Sequence, residues 1–129
     1  MESRIEEARA KKSSGKYNCA QAVACTYCGL TSMNQQQISA VTAGFGVGMG
    51  NMQGTCGALI GAGVIIGLKT ADRIQAMKAA KRIMDKFQAR NSSTTCCELK
   101  GIGTGRKLRD CNDCVADAAE FLEDELNQL

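Results

Sequence analysis

Cysteine is the residue type in this sequence with the widest scope for chemistry. The chain has eight: Cys19, Cys25, Cys28, Cys56, Cys96, Cys97, Cys111 and Cys114. Cys25 with Cys28 and Cys111 with Cys114 have CxxC spacing, which on a helix places both thiols on one face, about 5–6 Å apart. Such a pair can hold one metal ion or one edge of an iron–sulfur cluster, or it can close a disulfide. The spacing differs from the compact cysteine run of bacterial ferredoxins, so we expect a site assembled from distant segments.

The rest of the sequence indicates a compartment in which these thiols stay reduced. Residues 1–12 are charged and have no apolar core of a signal peptide. The most apolar stretch, residues 58–68, is shorter than the roughly 18–20 residues of a membrane span. We therefore expect a cytoplasmic protein with no membrane association, in which cysteines serve as metal ligands or redox thiols. With 129 residues, we expect residues 1–129 to form a single cysteine-rich helical redox domain.

Two missing residue types narrow the chemistry. The sequence has no histidine, so it cannot build a His–Zn site, a His-ligated haem or a Cys–His dyad. It has no proline, which argues against a thioredoxin domain with its cis-proline. The net charge of +3 is small and the charges are interspersed, so we expect no nucleic-acid partner.

The hydrophobic periodicity is helical, and no alternating strand pattern is present. It predicts an all-α fold, a compact bundle of about five to six helices with glycine-rich junctions. The predicted helices cover residues 3–14, 18–28, 34–43, 56–68, 70–90 and 110 to the chain end, and the expected caps include Asn18, Thr55, Thr70, Thr95 and Asp110. In the longest helix, the predicted core stripe is Ile74, Met77, Ala80, Met84 and Phe87.

Three cysteines follow residues that are good helix caps. These are Cys56, Cys96 and Cys111, and a thiol in the first helical turn is favoured as thiolate, the form that binds metal and attacks disulfides. Positive side chains separate the last two cysteine groups, at Lys100, Arg106, Lys107 and Arg109. They could offset an anionic cluster or recruit an acidic partner.

The glycines predict close packing around the site. Residues 44–50 carry glycine at every second position, but they lack the lysine and the preceding strand of a phosphate loop. Gly57xxxGly61 and Gly63xxxGly67 have the spacing of a membrane dimer motif. In this setting, contact between soluble helices is the better interpretation.

Five segments resemble the C_GCAxxG_C_C family of redox-active proteins. They are YNCAQAV at 17–23, GFGVGMG at 44–50, TCGALIG at 55–61, CCELKG at 96–101, and Cys111 followed by VADAAE at 115–120. The resemblance implies a redox function without a defined reaction. It also implies a common cysteine set, Cys19, Cys56, Cys96 and Cys111, and an additional set, Cys25, Cys28, Cys97 and Cys114.

Three functions remain open on these residues. The first is a small redox protein, acting in electron transfer or as an oxidoreductase, whose eight cysteines bind one or two iron–sulfur clusters of the [4Fe–4S] type. The second is a metal-free thiol–disulfide oxidoreductase using a CxxC pair. The third is a four-cysteine zinc module for protein interaction. We expect a redox partner protein, and a site shared within a homodimer is left open.

Overall fold

The computed structural model describes all 129 residues. The chain forms seven α-helices and no strand, which confirms the all-α class. They are α1 (Ile5–Ser13), α2 (Cys19–Tyr27), α3 (Gln35–Thr42), α4 (Gly57–Thr70), α5 (Arg73–Asn91), α6 (Cys96–Lys100) and α7 (Cys111–Leu126). The additional helix relative to the predicted count is α6, a short helix of five residues. None of these helices has the length and apolar character that a membrane crossing requires.

Side-chain caps begin three helices at residues where the sequence predicted a helix start. The side chain of Asn18 accepts a hydrogen bond from the backbone N–H of Gln21, and the Gln21 side chain accepts one from the Asn18 N–H. Asn34 forms the same reciprocal box before α3. Asp110 begins α7 by accepting from the N–H of Asn112. Each cap satisfies an N–H group that the first helical turn leaves unpaired.

Two predicted caps are wrong. Thr70 is the last residue of α4, and Asp72 begins α5 by accepting hydrogen bonds from the N–H groups of Ile74 and Gln75 at 2.9 and 3.0 Å. One carboxylate oxygen therefore satisfies two N–H groups of the first turn, next to the positive end of the helix dipole. Thr55 does not begin α4 either, because Cys56 is itself the N-cap residue.

Helix α4 lies at the centre of the bundle, in contact with α2, α5 and α7. The largest fully buried side chains come from several helices: Tyr27, Ile38, Ile65, Ile66, Ile83, Phe87, Leu99 and Leu122. On α5 the predicted stripe is partly wrong, since Ile74 and Met77 are 49% and 63% exposed. The buried stripe of α5 instead runs through Ala79, Ile83 and Phe87, because the helix turns this face towards α4 and α7.

The crossing of α4 over α2 is close because α4 has glycines at the contact. A Cβ atom added to Gly61 would lie 2.5 Å from the carbonyl oxygen of Ala20, and one added to Gly57 would lie 2.6 Å from that of Phe45. Nothing lies within 4 Å of such an atom at Gly63 or Gly67. The Gly57xxxGly61 pair therefore packs against residues of the same chain, a choice that the sequence had left open.

A buried polar contact joins α7 to α2 and to the chain start. The Tyr27 hydroxyl donates to the carboxylate of Glu123 at 2.5 Å, and the backbone N–H of Arg4 donates to the same oxygen at 2.7 Å. Burial and the carboxylate beside it raise the pKa of Tyr27. Tyr27 therefore stays neutral and donates its hydrogen bond to Glu123, and this contact holds the C-terminal end of α2 against α7.

We expect Gly61→Ala to destabilise the protein and Gly63→Ala to leave it unchanged or slightly more stable. The new methyl group at position 61 would meet a backbone carbonyl that cannot move aside, at a cost of about 1–3 kcal/mol. At position 63 the methyl group meets open space, and alanine favours the helix by up to about 1 kcal/mol. Urea unfolding of both variants measures the difference, and equal stabilities would contradict the close crossing.

Candidate functional site

Five of the eight cysteines line one cavity at an end of the bundle. They are Cys19, Cys56, Cys96, Cys111 and Cys114. The other residues that line it are Lys12, Asn18, Val47, Gly57, Leu99, Lys100 and Arg109. All eight cysteines are free thiols. The whole common set is therefore in the cavity, joined by one member of the additional set.

Four of these cysteines stand where helices begin. Cys19, Cys96 and Cys111 are the first residues of α2, α6 and α7, and Cys56 is the N-cap of α4. Helix N-termini carry a partial positive charge and unpaired N–H groups. The fold therefore surrounds the cavity with groups that stabilise negative charge on sulfur.

A short antiparallel bridge positions Cys56 beside Cys96. Thr55 pairs with Thr95. The N–H of Cys56 donates to the carbonyl of Thr94 at 2.8 Å, and the N–H of Cys96 donates to that of Gly54 at 3.0 Å. The two segments that enter α4 and α6 are thus tied together one residue before each thiol, which explains why two distant cysteines share one site.

The glycine-rich segment packs against the cavity wall. Gly48 has a positive φ of 54°, and a Cβ atom added there would lie 2.4 Å from the Cβ of Cys96. A Cβ atom added to Gly46 would lie 2.5 Å from the Cβ of Asn18, which caps α2. This close approach confirms the interpretation of residues 44–50 as a packing segment.

The loop before α7 returns to α6 and brings Arg109 to the cavity. The N–H groups of Leu108 and Arg109 donate to the carbonyl of Leu99 at 2.9 and 3.2 Å. The Arg109 guanidinium donates to both oxygens of the buried Asp117 carboxylate, each at 3.0 Å. Asp117 also accepts from Arg90 at 3.0 Å. These contacts fix both the cation and the start of α7.

The pKa of Cys111 lies well below that of an ordinary thiol. The thiol of Cys19, which acts as its hydrogen-bond donor, outweighs partial burial and lowers the pKa of Cys111 to about 6. Lys100 and Lys12 act in the same direction, while Asp110 opposes them. The same interaction raises the pKa of Cys19, so Cys19 is the thiol and Cys111 the thiolate of this pair at neutral pH.

In a second pair of thiols, Cys56 and Cys114, one pKa is again lowered and the other raised. The Cys114 thiol lowers the pKa of Cys56 against the effect of burial, and the backbone N–H groups of Ala58 and Leu59 add to the lowering. The pKa of Cys114 is raised by its role as donor to Cys56 and by burial.

The thiols that shift one another's pKa values most therefore do not follow the CxxC motif. Cys19 has the largest effect on the pKa of Cys111, and Cys56 has the largest effect on that of Cys114. Cys96 belongs to neither pair, and burial raises its pKa. Each pair joins a cysteine of α7 to one at the start of another helix.

The other three cysteines lie outside the cavity. Cys25 and Cys28 are buried at the far end of α2, where the Cys28 thiol contacts the carbonyl oxygen of Cys25 at 3.4 Å. Burial raises the pKa of Cys25. Cys97 is half-buried, and its carbonyl accepts from the N–H of Ile102 at 2.9 Å. The structure thus divides the predicted eight-cysteine set into a group of five and three others.

No group of three or more Cys, Asp or Glu side chains is arranged to hold a single metal ion. The donor set in the cavity is nevertheless chemically suited to an iron–sulfur cluster, because it consists of thiols and includes two with lowered pKa values. The residues present therefore fit a sulfur-ligated group by their chemistry.

Lys12 and Val47 are among the cavity-lining side chains that sequence reasoning did not assign to the site. Lys12 comes from the last turn of α1, and Val47 comes from the glycine-rich segment. Lys12 reaches the site because α1 packs along α7 and α2. Its position in a run of charged residues gave no sign of this, whereas the glycines around Val47 did indicate a tight structure.

The fold and the cavity together define an all-α protein with a thiol-lined site. A family model described as "Putative redox-active protein (C_GCAxxG_C_C)" matches residues 17–125, which contain all eight cysteines. The chain belongs to this C_GCAxxG_C_C family, which confirms the resemblance found in the sequence. No curated protein and no solved structure matches the chain.

We expect Cys111 to react with iodoacetamide as a thiolate above pH 6 in the reduced, metal-free protein. Its alkylation rate should rise around pH 6 and level off near neutrality, because the thiolate is the nucleophile and its pKa is about 6. Cys19→Ala removes the donor, so the midpoint should move up towards the ordinary thiol value of about 8.5.

Peptide mapping by mass spectrometry identifies the alkylated residue, and Cys97→Ala serves as the control because Cys97 lies outside the cavity. An unchanged midpoint in Cys19→Ala would contradict the proposed pairing of Cys19 with Cys111.

Proposed function

We propose that this protein binds an iron–sulfur cluster through Cys19, Cys56, Cys96 and Cys111 and acts in electron transfer or cluster-based redox chemistry. The observation that carries the proposal is the gathering of these four cysteines around one cavity, each where a helix begins. Membership of a redox-active family supports the general function. When bound, such a cluster supplies one-electron redox chemistry.

The surroundings of the four sulfur atoms favour negative charge. Lys12, Lys100 and Arg109 line the cavity, and the N–H groups of Ala58 and Leu59 favour the thiolate of Cys56. Thiolate is the ligating form of cysteine, and hydrogen bonds to sulfur together with nearby charge set the potential of a bound cluster. These residues would therefore lower the cost of an anionic cluster.

The cavity has a closed side and an open side. Cys56 and Cys96 are 5% and 6% exposed, whereas Cys19 and Cys111 are half-buried. The closed side excludes water from the deeper ligands, and the other side leaves a short path to the surface. Electron exchange with a partner is therefore expected near Cys19 and Cys111.

Cys114 would be a fifth thiol beside the four proposed ligands. It is 2% exposed and its thiol is the donor to Cys56. As a neutral donor it is suited to stabilise negative charge on the Cys56 sulfur. This assigns it a supporting contact and not the role of a ligand.

The proposal predicts that Cys96→Ser will lose most of its iron while Cys97→Ser keeps it. The two neighbours have the same chemistry, but only Cys96 lines the cavity. Both variants and the parent should be purified without oxygen and reconstituted with iron and sulfide. Visible absorbance near ~400 nm and the iron and sulfide contents report on the cluster, and circular dichroism shows whether each variant is folded.

A colourless parent without iron after reconstitution would overturn the cluster proposal. So would equal losses in Cys96→Ser and Cys97→Ser when both remain folded. Zinc in place of iron, without redox activity, would instead favour the four-cysteine zinc module.

A second candidate, the metal-free thiol–disulfide oxidoreductase, is favoured by the lowered pKa of Cys111 beside Cys19. The Cys111 thiolate would attack a substrate disulfide and release one substrate thiolate. Cys19, once deprotonated, would attack the resulting mixed disulfide, leaving a Cys19–Cys111 disulfide and the reduced substrate. A metal-free protein that reduces a substrate disulfide, forms a Cys19–Cys111 disulfide in doing so and loses turnover in Cys111→Ser would establish this reaction.

A further inference from the structure

The acidic residues of this chain are absent from the segments that form the cavity mouth. No aspartate or glutamate occurs between Glu7 and Asp72, or between Glu98 and Asp110. These two stretches supply every cavity-lining residue except Cys96, Cys111 and Cys114. They also carry six cations in or near the cavity. Lys12, Lys100 and Arg109 line it. Lys16 lies two residues before the lining residue Asn18, and the backbone of Arg106 and Lys107 packs against Gly101, next to Lys100. We call these six residues together with Val47 and Met49 the basic mouth.

Most cations of the basic mouth have no carboxylate partner. Lys12, Lys16, Lys100 and Arg106 form no ion pair, and Lys107 has only an exposed contact of 3.6 Å with Asp110. Arg109 is bound to Asp117. The positive charge of this face is therefore largely available to an external group.

Four cations of α5 behave differently. Lys81, Arg82, Lys86 and Arg90 each pair with an acidic side chain of α5 or α7, at distances of 2.6 to 3.4 Å. Arg73 and Lys78 of the same helix are exposed and form no ion pair. The mouth is therefore distinguished by segments that carry several cations and no carboxylate.

Two exposed apolar side chains belong to the glycine-rich segment, and one of them is in the cavity wall. Val47 lines the cavity and is 45% exposed, and Met49 is 53% exposed. Both have positive φ, 53° and 65°, a conformation that is unfavourable for these residue types and persists where packing enforces it. Exposed apolar groups surrounded by charges are typical of a protein-binding face.

We propose that the basic mouth is the docking face for a protein redox partner whose own redox site is surrounded by carboxylates. Lys16 and Arg106 do not line the cavity, so compensating a charge inside it does not account for them. Complementary charge would orient the two proteins and speed their encounter, and Val47 and Met49 would form the apolar centre. That electrons pass, or that thiol–disulfide exchange occurs, at this face rests on the proposed function, whereas the docking itself does not.

The first experiment titrates the isotope-labelled protein with flavodoxin, a small acidic electron carrier, and with cytochrome c, a basic one, and follows amide chemical shifts. We expect flavodoxin to shift residues 47–49 and 100–109 and cytochrome c to leave them unchanged. Raising the salt from about 0.05 M to about 0.3 M should weaken the binding, because it shortens the Debye length.

Two charge-reversed double variants give a matched comparison. Lys16→Glu with Arg106→Glu alters the mouth outside the cavity, and Arg73→Glu with Lys78→Glu alters exposed, unpaired cations of α5. Both change the net charge by the same amount. We expect the first to weaken flavodoxin binding about tenfold or more and the second by less than about twofold.

Equal weakening by the two variants, or shifts spread over α5, would overturn the proposal. Tighter binding of a single-stranded oligothymidine to the same face would overturn it in favour of nucleic acid. If docking behaves as expected but the protein takes up no iron, only the iron–sulfur proposal fails.

Discussion

The site depends on the close crossing of α4 over α2. Gly57 follows Cys56 in the chain, and a Cβ atom added to it would lie 3.5 Å from the Cβ of Cys19. One turn further, Gly61 meets the carbonyl of Ala20. Side chains at these glycines would force the helices apart and separate two of the thiols. The glycines of the family motif thus serve the geometry of the cysteines that precede them.

Burial and local charge act in opposite directions on the thiols. Burial disfavours thiolate and raises the pKa of Cys96, while neighbouring donors lower the pKa values of Cys56 and Cys111. Each lowered thiol is matched by a partner whose pKa is raised, because one sulfur of the pair donates and the other accepts. The cavity can thus hold negative charge without carrying it on every sulfur.

The sequence by itself determined the helical class and several helix starts, because these depend on local rules, such as the caps at Asn18 and Asp110. The common cysteine set followed only from the family resemblance, since its four members lie in separate segments of the chain. The sequence did not determine which face of α5 is buried: Met77, which was predicted to lie in the core, is exposed. That face is chosen by contact with α4 and α7, which no local pattern encodes.

Only the tertiary structure decided which thiols share a cavity. Cys96 and Cys97 are neighbours with the same chemistry, yet the bridge between Thr55 and Thr95 turns Cys96 alone into the site. Cys114 joins the cavity through its contact with Cys56, although the sequence grouped it with Cys111. Spacing along a helix fixes only which residues share a face. The partner on that face depends on which other helix begins there, and this is a property of the packed bundle.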